Sequence, residues 1–580
     1  YKIDAATMPH VLIRKFSDGS AADPPGLAGA GHAYFQWLGK GSADDFWEEY
    51  DWSDRSVGDT ETNADPSFIG RKITGMTFHK GRLGFMSGES LSLTEAGQSK
   101  NFWRTTVVDI LDTGRIDLTA STRDASNLRS SIEIQDSLVL FSDQNQLTLD
   151  AGGTLLTPSS AGLISASSFQ ASTQAKPVAS GNLALFGFTR GDYSGVSQFF
   201  RDRDGFDAVE ISGHVPNYLQ GDIRLMDVCE AENMAAFVTD ATGLGNTIFI
   251  YKWHTIGKDR VQSCWSKVEM TGVSKIMDMG FIDSDLFIVV ARASVDPYIS
   301  GYRVTLERVS WETGRKDSSS WFYPTLDCIQ DTEITKRATG DMTYQPSWPV
   351  VGGSSEVVGV SYDPATNVSR FRVRGLGIIS DSGPDIFLVD KKDSVPFVGT
   401  QVVPHISDAS STVVPRYRVA TAVLDATIGG AIVYVSGDWT IPGQTGTGAK
   451  TRKFWAGWGY EMRHTMAHPY LEGKSGDRTS ALLEGRFQVR RATVDVAGAG
   501  YWRAEVTPDG RDMSTDSFAP AVIGVDAIDS TGPMKGPQKV SVMAQAGSFK
   551  FDLVNDSPFP SRFSSLEWEG TFSSRSKRLG

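Results

Sequence analysis

The sequence predicts a mainly β protein on three observations. Apolar and polar residues alternate with a period of two. The apolar runs are short and rich in β-branched and aromatic side chains. Gly, Asp, Asn and Ser interrupt them every eight to twelve residues. In chain order the clearest runs are SLVLFSD, NLALFGF, NTIFIYKW, DLFIVVARA and AIVYVSGDW. Helical spacing is scarce, and the acidic stretch Asp44 to Asp54 is one of few segments that suits a helix.

A polar turn followed by an apolar strand recurs as HKGRLGFMSG, QDSLVLFSD, SGNLALFGF, AENMAAFVTD and IDSDLFIVV. Aligned on Leu83, Leu138, Leu183, Met234 and Leu286, the copies are 55, 45, 51 and 52 residues apart. A period of about 50 is the length of a four-stranded propeller blade. Each copy is followed by a second strand candidate, such as ESLSLTEAG after the first and NQLTLDAGG after the second. One blade cannot bury both its faces, so neighbouring blades must supply the core. The expected architecture is therefore propeller-like repeated β-blades with an inserted subdomain and a C-terminal β-domain.

Four regions follow in order. Residues 1–70 hold an N-terminal strand and the acidic segment, and residues 71–310 hold the repeated blades. In residues 311–423 the period weakens, and TYQPSWPVVGG and PHISDASST read as loops, which marks an inserted loop-rich subdomain. Residues 424–580 contain the final blade strands and a closing β-domain. Its strands are GRFQVRRATVDV, GYWRAEVTP, GSFKFDLVNDS and SSLEWEGTF.

Composition narrows the function. The chain has 580 residues, 40% of them apolar, which suits sizeable cores and not disorder. Its 56 Lys and Arg against 69 Asp and Glu give a net charge of −13, unlike a protein that coats DNA with a basic surface. Cys229, Cys264 and Cys328 are scattered and form no CxxC pair, so they read as buried free thiols. No apolar run approaches the ~18–20 residues of a membrane span, and Leu286 to Ala291 is far too short, so no stable membrane insertion is expected. The opening YKIDAATMPHVLIRK alternates like a strand and lacks both a signal-peptide core and an initiator Met. It is expected to be processed, or to begin partway along a longer product.

Chemical motifs are weak. GQTGTGAK, Gly443 to Lys450, approaches a phosphate-binding loop, but Ala449 separates Gly448 from Lys450, and a hairpin tip fits better. His464 and His468 stand four apart without the Glu of HExxH and with Pro469 next, so a loop or strand is expected and not a metal site. Asp202, Asp204, Asp207 and Glu210 do not follow the calcium-loop order and read as turn carboxylates. The acids Asp44, Asp45, Glu48, Glu49, Asp51 and Asp54 suit a solvated face, and Arg575, Lys577 and Arg578 a loose basic tail. Phe454, Trp455, Trp458 and Tyr460 form an aromatic cluster suited to a core or an interface, with Trp458 and Tyr460 sharing a face if the segment is a strand. No catalytic, cofactor-binding or metal-ligating residue is assigned.

One set of segments points further. Pro66 to Trp103, PSFIGRKITGMTFHKGRLGFMSGESLSLTEAGQSKNFW, resembles the tail tubular protein B family of short-tailed phages, also called the tail nozzle protein. The resemblance continues through TPSSAGLIS, PVASGNLALFGFTRGDYSGVSQFF, DAVEISGHVPNYLQGDI and VQSCWSKVEM, and returns at LVNDSPFPSRFSSLEWEGTFSSRSKRL. It covers most of the chain and is weakest over 311–423.

The resemblance implies a non-enzymatic virion component with a propeller-like domain and no cofactor. It implies a homo-hexameric ring below a twelve-subunit adaptor ring of tail tubular protein A, with tail fibres or spikes near the junction. Double-stranded DNA would pass through the ring without sequence recognition. Residues 1–70 would then pack on the ring, and 311–423 would be a candidate nozzle tip. The location implied is the virion tail, after folding and assembly in the bacterial cytoplasm.

The charge suits that role. Duplex DNA carries a phosphate every ~1.7 Å of axis, so a basic lumen grips it and an acidic one lets it slide. Salt confines the repulsion to roughly 8–10 Å. Two other readings stand beside it. A tail-associated hydrolase of polysaccharide or peptidoglycan would use acid-rich turns and stacked aromatics, although no motif selects a carboxylate pair. A standalone propeller module would be monomeric.

Overall fold

The computed structural model describes residues 52–121, 127–151, 155–202, 205–256, 259–270, 272–293, 302–311, 323–336, 353–374, 386–390, 417–425, 430–436, 450–469, 485–519 and 533–573, and short strands at 11–12, 15–16, 33–34, 47–48, 342–345, 348–350, 472–475 and 478–481. Every α-helical or β element among them is a strand, and all the pairings described are antiparallel. Within the acidic segment, Trp47–Glu48 is extended and pairs with Val11–Leu12, so these two residues are strand and not helix. The chain divides into two compact units, Tyr1–Met270 with Ile276–Ile288, and Thr271–Lys275 with Val289–Gly580.

The first unit is a succession of small meanders. The first sheet is Gly75–His79, Arg82–Ser87, Ser90–Leu93 and Ile116–Thr119; the second is Leu128–Ile134, Ser137–Ser142, Gln146–Asp150 and Gly162–Ser167. The third joins Val178–Ser180, Leu183–Arg190, Tyr193–Asp202 and Gly205–Glu210, with Leu219–Gln220 added beside Tyr193–Asp202. The fourth is Ile223–Cys229, Met234–Thr239, Thr247–Ile256 and Asp259–Glu269. A three-stranded sheet follows in the chain, Lys275–Ile282, Asp285–Ala293 and Tyr302–Ser310.

All five aligned residues fall at the first or second position of the second strand of their sheet. The turns before them explain the polar residues there. Lys80 and Gly81 both have positive φ, as do Gln135 and Asp136, which is the backbone that a two-residue hairpin needs to match strand twist. Gly181, Asn233 and Asp283 take positive φ at the other three turns.

The second strands are apolar without a break because both of their faces are covered. From Ser137–Ser142, Leu138 and Leu140 pack with Met86, Leu91 and Leu93 of the first sheet. Val139 and Phe141 point the other way, onto Ala184, Phe186 and Phe199 of the third. Leu185 and Val196 of the third meet Ala235, Phe237 and Phe249 of the fourth. Each such side chain contributes roughly 1.5–3 kcal/mol by leaving water. Trp52, Phe68, Phe102 and Trp103 close the far face of the first sheet over Phe85. First strands of the first four sheets lie side by side in succession, with Thr74 Oγ1 donating to Leu128 O at 2.6 Å where the first two meet.

The second unit contains a nine-stranded sheet and a two-sheet sandwich. Across the nine-stranded sheet the order is Met342–Gln345, Asp327–Lys336, Lys450–Trp458, Ile386–Asp390, Tyr417–Asp425, Gly430–Ser436, Val368–Arg374, Gly353–Asp363 and Trp348–Val350. Met342–Gln345 and Trp348–Val350 are strands where TYQPSWPVVGG read as a loop. Pro349 is accommodated because its strand is at a sheet edge, where a missing N–H breaks no ladder. PHISDASST lies outside the described residues.

In the sandwich, Met534–Gln545, Arg486–Ala499 and Phe563–Ser573 form one sheet. Met462–Thr465, Phe549–Asn555, Trp502–Pro508 and Ser514–Phe518 form the other. Val489, Val494, Val540 and Val542 interlock with Trp502, Val506, Phe551 and Leu553 between them. The four segments expected as closing strands are four of these.

Candidate functional site

The sequence candidates fall apart in space or into the core. Trp455 and Trp458 are buried, with Trp455 packed among Leu326, Phe387, Val389 and Phe559, so they are core residues and not exposed stacking platforms. Tyr460 lies beyond the strand end and is exposed, so it does not continue the face of Trp458. The side chain of Phe454 lies outside the described residues.

His464 is exposed in Met462–Thr465 opposite Leu553, and His468 is exposed in the following loop with its ring edge-on to Phe549. Among the described residues no three His, Cys, Asp or Glu side chains gather as metal ligands. Asp207 and Glu210 sit within Gly205–Glu210, which makes them strand and not turn carboxylates. Glu210 takes two hydrogen bonds from Arg190 Nη2, at 2.9 and 2.8 Å. Asp204 lies outside the described residues, as do Gly443 to Ala449, Asp44, Asp45, Glu49 and Asp51, and the basic end Arg575, Lys577 and Arg578. Cys229 is buried and donates to Asp283 O, whereas Cys264 is exposed in a strand, contrary to the buried-thiol expectation. Nothing is described of the Cys328 side chain.

A charged cluster that the sequence did not reveal lies on the sandwich. Glu505 and Asp552 are the buried carboxylates among the described residues, and they stand directly opposite each other on paired strands. Like charges so placed repel. Arg463, one strand further, resolves the conflict: its Nη1 donates to Glu505 at 2.7 Å and to Asp552 at 2.6 Å. Arg503 Nε donates to Glu505 at 2.8 Å, and Lys550 Nζ and Thr465 Oγ1 donate to Asp552 at 2.7 and 2.6 Å. Glu461 joins both arginines, and Asp556 joins Arg503.

The electrostatic outcome is decided by competition. Burial alone pushes the Glu505 carboxyl up, but hydrogen bonds from Arg503 and Arg463 outweigh it and hold the group below its ordinary value. Asp552 follows the same logic, with Lys550, Thr465 and Arg463 overcoming its burial. Glycoside cleavage needs one carboxyl raised enough to donate a proton. Both carboxyls here are shifted the other way, so the pair suits a structural tie across three strands.

Comparison with known proteins places the chain. Solved structures with some likeness include Hsv2p of Kluyveromyces lactis, 10% identical over 52% of this chain and 79% of that one, TM-score 0.26. The N-terminal domain of Nup159 is 11% identical over 68% and 92%, and an ancestral GH74 enzyme 10% identical over 63% and 51%, both at 0.26. At those scores neither fold nor activity transfers. Tail tubular protein gp12 of Escherichia phage T7 is 28% identical over 287 residues, 49% of this chain. The match spans 33% of that relative's length. The model of the bacteriophage nozzle protein family matches residues 1–373 and 401–579, and the chain belongs to that family.

Proposed function

We propose that this chain is a structural subunit of a short phage tail nozzle, with no catalytic role. The observation that carries the reading is the family match over residues 1–373 and 401–579. Six copies form a ring below the adaptor ring of tail tubular protein A, near attached fibres or spikes, and double-stranded DNA passes through it into the host. The chain folds and assembles in the bacterial cytoplasm and resides in the virion tail.

The small sheets of residues 71–310 are read as blades set around an axis. Support comes from their side-by-side first strands and the burial of both faces of the second and third sheets. In the same reading, residues 1–70 pack on the ring, 311–423 supply the nozzle tip, and 424–580 provide the last blade strands and the closing domain.

Charge supports passage and not capture of DNA. Six copies at −13 each would carry −78. Carboxylates facing the lumen repel phosphate within a Debye length and leave the duplex free to slide. Imaging the tail assembly and counting its symmetry tests the ring, with six-fold symmetry expected. Five-fold or twelve-fold symmetry in this layer, or a predominantly basic lumen, would overturn the reading.

A further inference from the structure

In the first unit, the far face of the first sheet is sealed by the chain itself. Leu83 and Phe85 stand in their strand where Leu138 and Leu140 stand in the next copy of the repeat. Leu138 and Leu140 pack on the preceding sheet, against Met86, Leu91 and Leu93. Leu83 and Phe85 pack instead under Trp52, Phe68, Phe102 and Trp103. Phe85 stacks on Phe102 with ring centroids 4.9 Å apart and meets Phe68 edge-on at 5.3 Å and Trp52 at 5.8 Å. The seal takes the place of a preceding sheet.

Polar groups fasten residues 52–70 over this face. Ser67 donates to Asp117 from both N and Oγ, and Ser92 Oγ donates to the same carboxylate at 2.9 Å. Asn63 Nδ2 donates to Arg104 O at 3.2 Å, and its Oδ1 accepts from Arg104 N at 3.1 Å. Arg115 Nη2 donates to Ala64 O at 2.6 Å, and Trp103 Nε1 to Ser53 O at 3.0 Å.

What lies beneath is apolar on one side. By register, Met76 and Phe78 of the first strand share the face of Phe85 and Leu83, and they are 56% and 64% exposed. Asp117 is the one charged side chain that the four strands turn this way, and it sits on the outermost strand. Lifting residues 52–70 would therefore bare an apolar strip two strands wide. At the equivalent positions of the second sheet the occupant is another sheet of this same chain, so the strip fits a sheet of a second copy.

We propose that residues 52–70 are a built-in stop, holding the place at which a sheet of a second copy would otherwise pack. Repeat arrays need a closed outer face on their terminal units to stay soluble. The proposal goes beyond the nozzle reading and does not depend on ring symmetry.

The test compares the full wild-type chain with a Trp52→Ser, Phe68→Ser double variant by sedimentation over a range of concentrations. An amine cross-linker is then applied to mixed isotopically light and heavy chains. The variant is expected to self-associate at least about tenfold more tightly than wild type. New links between copies should fall at Lys72 or Lys80, which are exposed beside the uncovered strip. A second arm covers the case in which the double variant unfolds. Ser67→Cys with Ser92→Cys, in a Cys264→Ser background, places thiols where the two hydroxyls stand 3.0 Å apart and ties the seal down by a disulfide. In mild urea the reduced form should self-associate and the oxidised form should not. Association of a folded double variant unchanged from wild type overturns the proposal. So do links that map elsewhere, or oxidised and reduced forms that behave alike.

Discussion

Replacing Arg463 by Met separates electrostatic from packing contributions in the sandwich. The substitution keeps a long apolar stem and removes the cation that Glu505 and Asp552 share. Breaking a buried ion pair costs about 3–5 kcal/mol when a charge is stranded. Here each carboxylate keeps one cation, Arg503 or Lys550, and the Arg463 side chain is 34% exposed. Those two discounts bring the expected loss to about 2 kcal/mol at pH 7. Hydrogen exchange resolved over Trp502–Pro508 and Phe549–Asn555 measures the local opening free energy directly.

The pH dependence has a definite sign. Both carboxyls are held below their ordinary values of 4.5 and 3.8, so their contribution is complete above those values. It is lost as pH falls through the lower folded-state values. The Arg463→Met penalty should therefore shrink in acid. Equal protection in variant and wild type at pH 7, or a penalty undiminished in acid, would refute the electrostatic account.

Other outcomes follow from the first unit. Phe141→Ala removes a ring that touches Phe186 and Phe199 between two sheets and should cost about 3–5 kcal/mol in urea unfolding. Gly221→Ala meets both a φ of +81° and the Ala241 backbone nitrogen 2.6 Å from the new Cβ, so about 2 kcal/mol or more of destabilisation is expected in a thermal melt. Arg82→Met should raise hydrogen exchange across residues 94–114 while the neighbouring strands stay protected, because three carbonyls lose one shared donor.

Burial pushes the His79 imidazole below its ordinary value of 6.5, against the pull of Glu133 and Asp136 and with Lys80 adding to the fall. The unfolded chain then takes up a proton first, so stability should drop as pH falls below about 6.5. His79→Asn should flatten that slope in a melting-temperature titration.

Much of the fold was legible because turn chemistry and strand burial both write themselves locally. Lys80-Gly81 and Gln135-Asp136 occupy backbone conformations that few residue types adopt, and unbroken runs such as SLVLF answer to coverage on both faces. The charged cluster was not legible. Arg463, Glu505 and Asp552 lie 42 and 89 residues apart from the first to each of the others, and only strand order brings them together. The aromatic cluster was legible in part: Trp455 and Trp458 are core residues, as a core or an interface requires, but the strand ends at Trp458, so Tyr460 does not share its face. VVDIL, residues 107–111, has the composition of a strand, yet it is a loop, held at its flanks where Asn63 bonds Arg104 and Arg82 bonds Asp112 and Gly114.

Coverage of both sheet faces also bears on how such a chain changes over generations. Removing the second sheet would expose two faces that are both apolar, Met86, Leu91 and Leu93 on one side and Ala184, Phe186 and Phe199 on the other. Duplicating one would add an interface of a kind already present. An array of this design can lengthen or shorten by about 50 residues at a step, with no new kind of surface to invent.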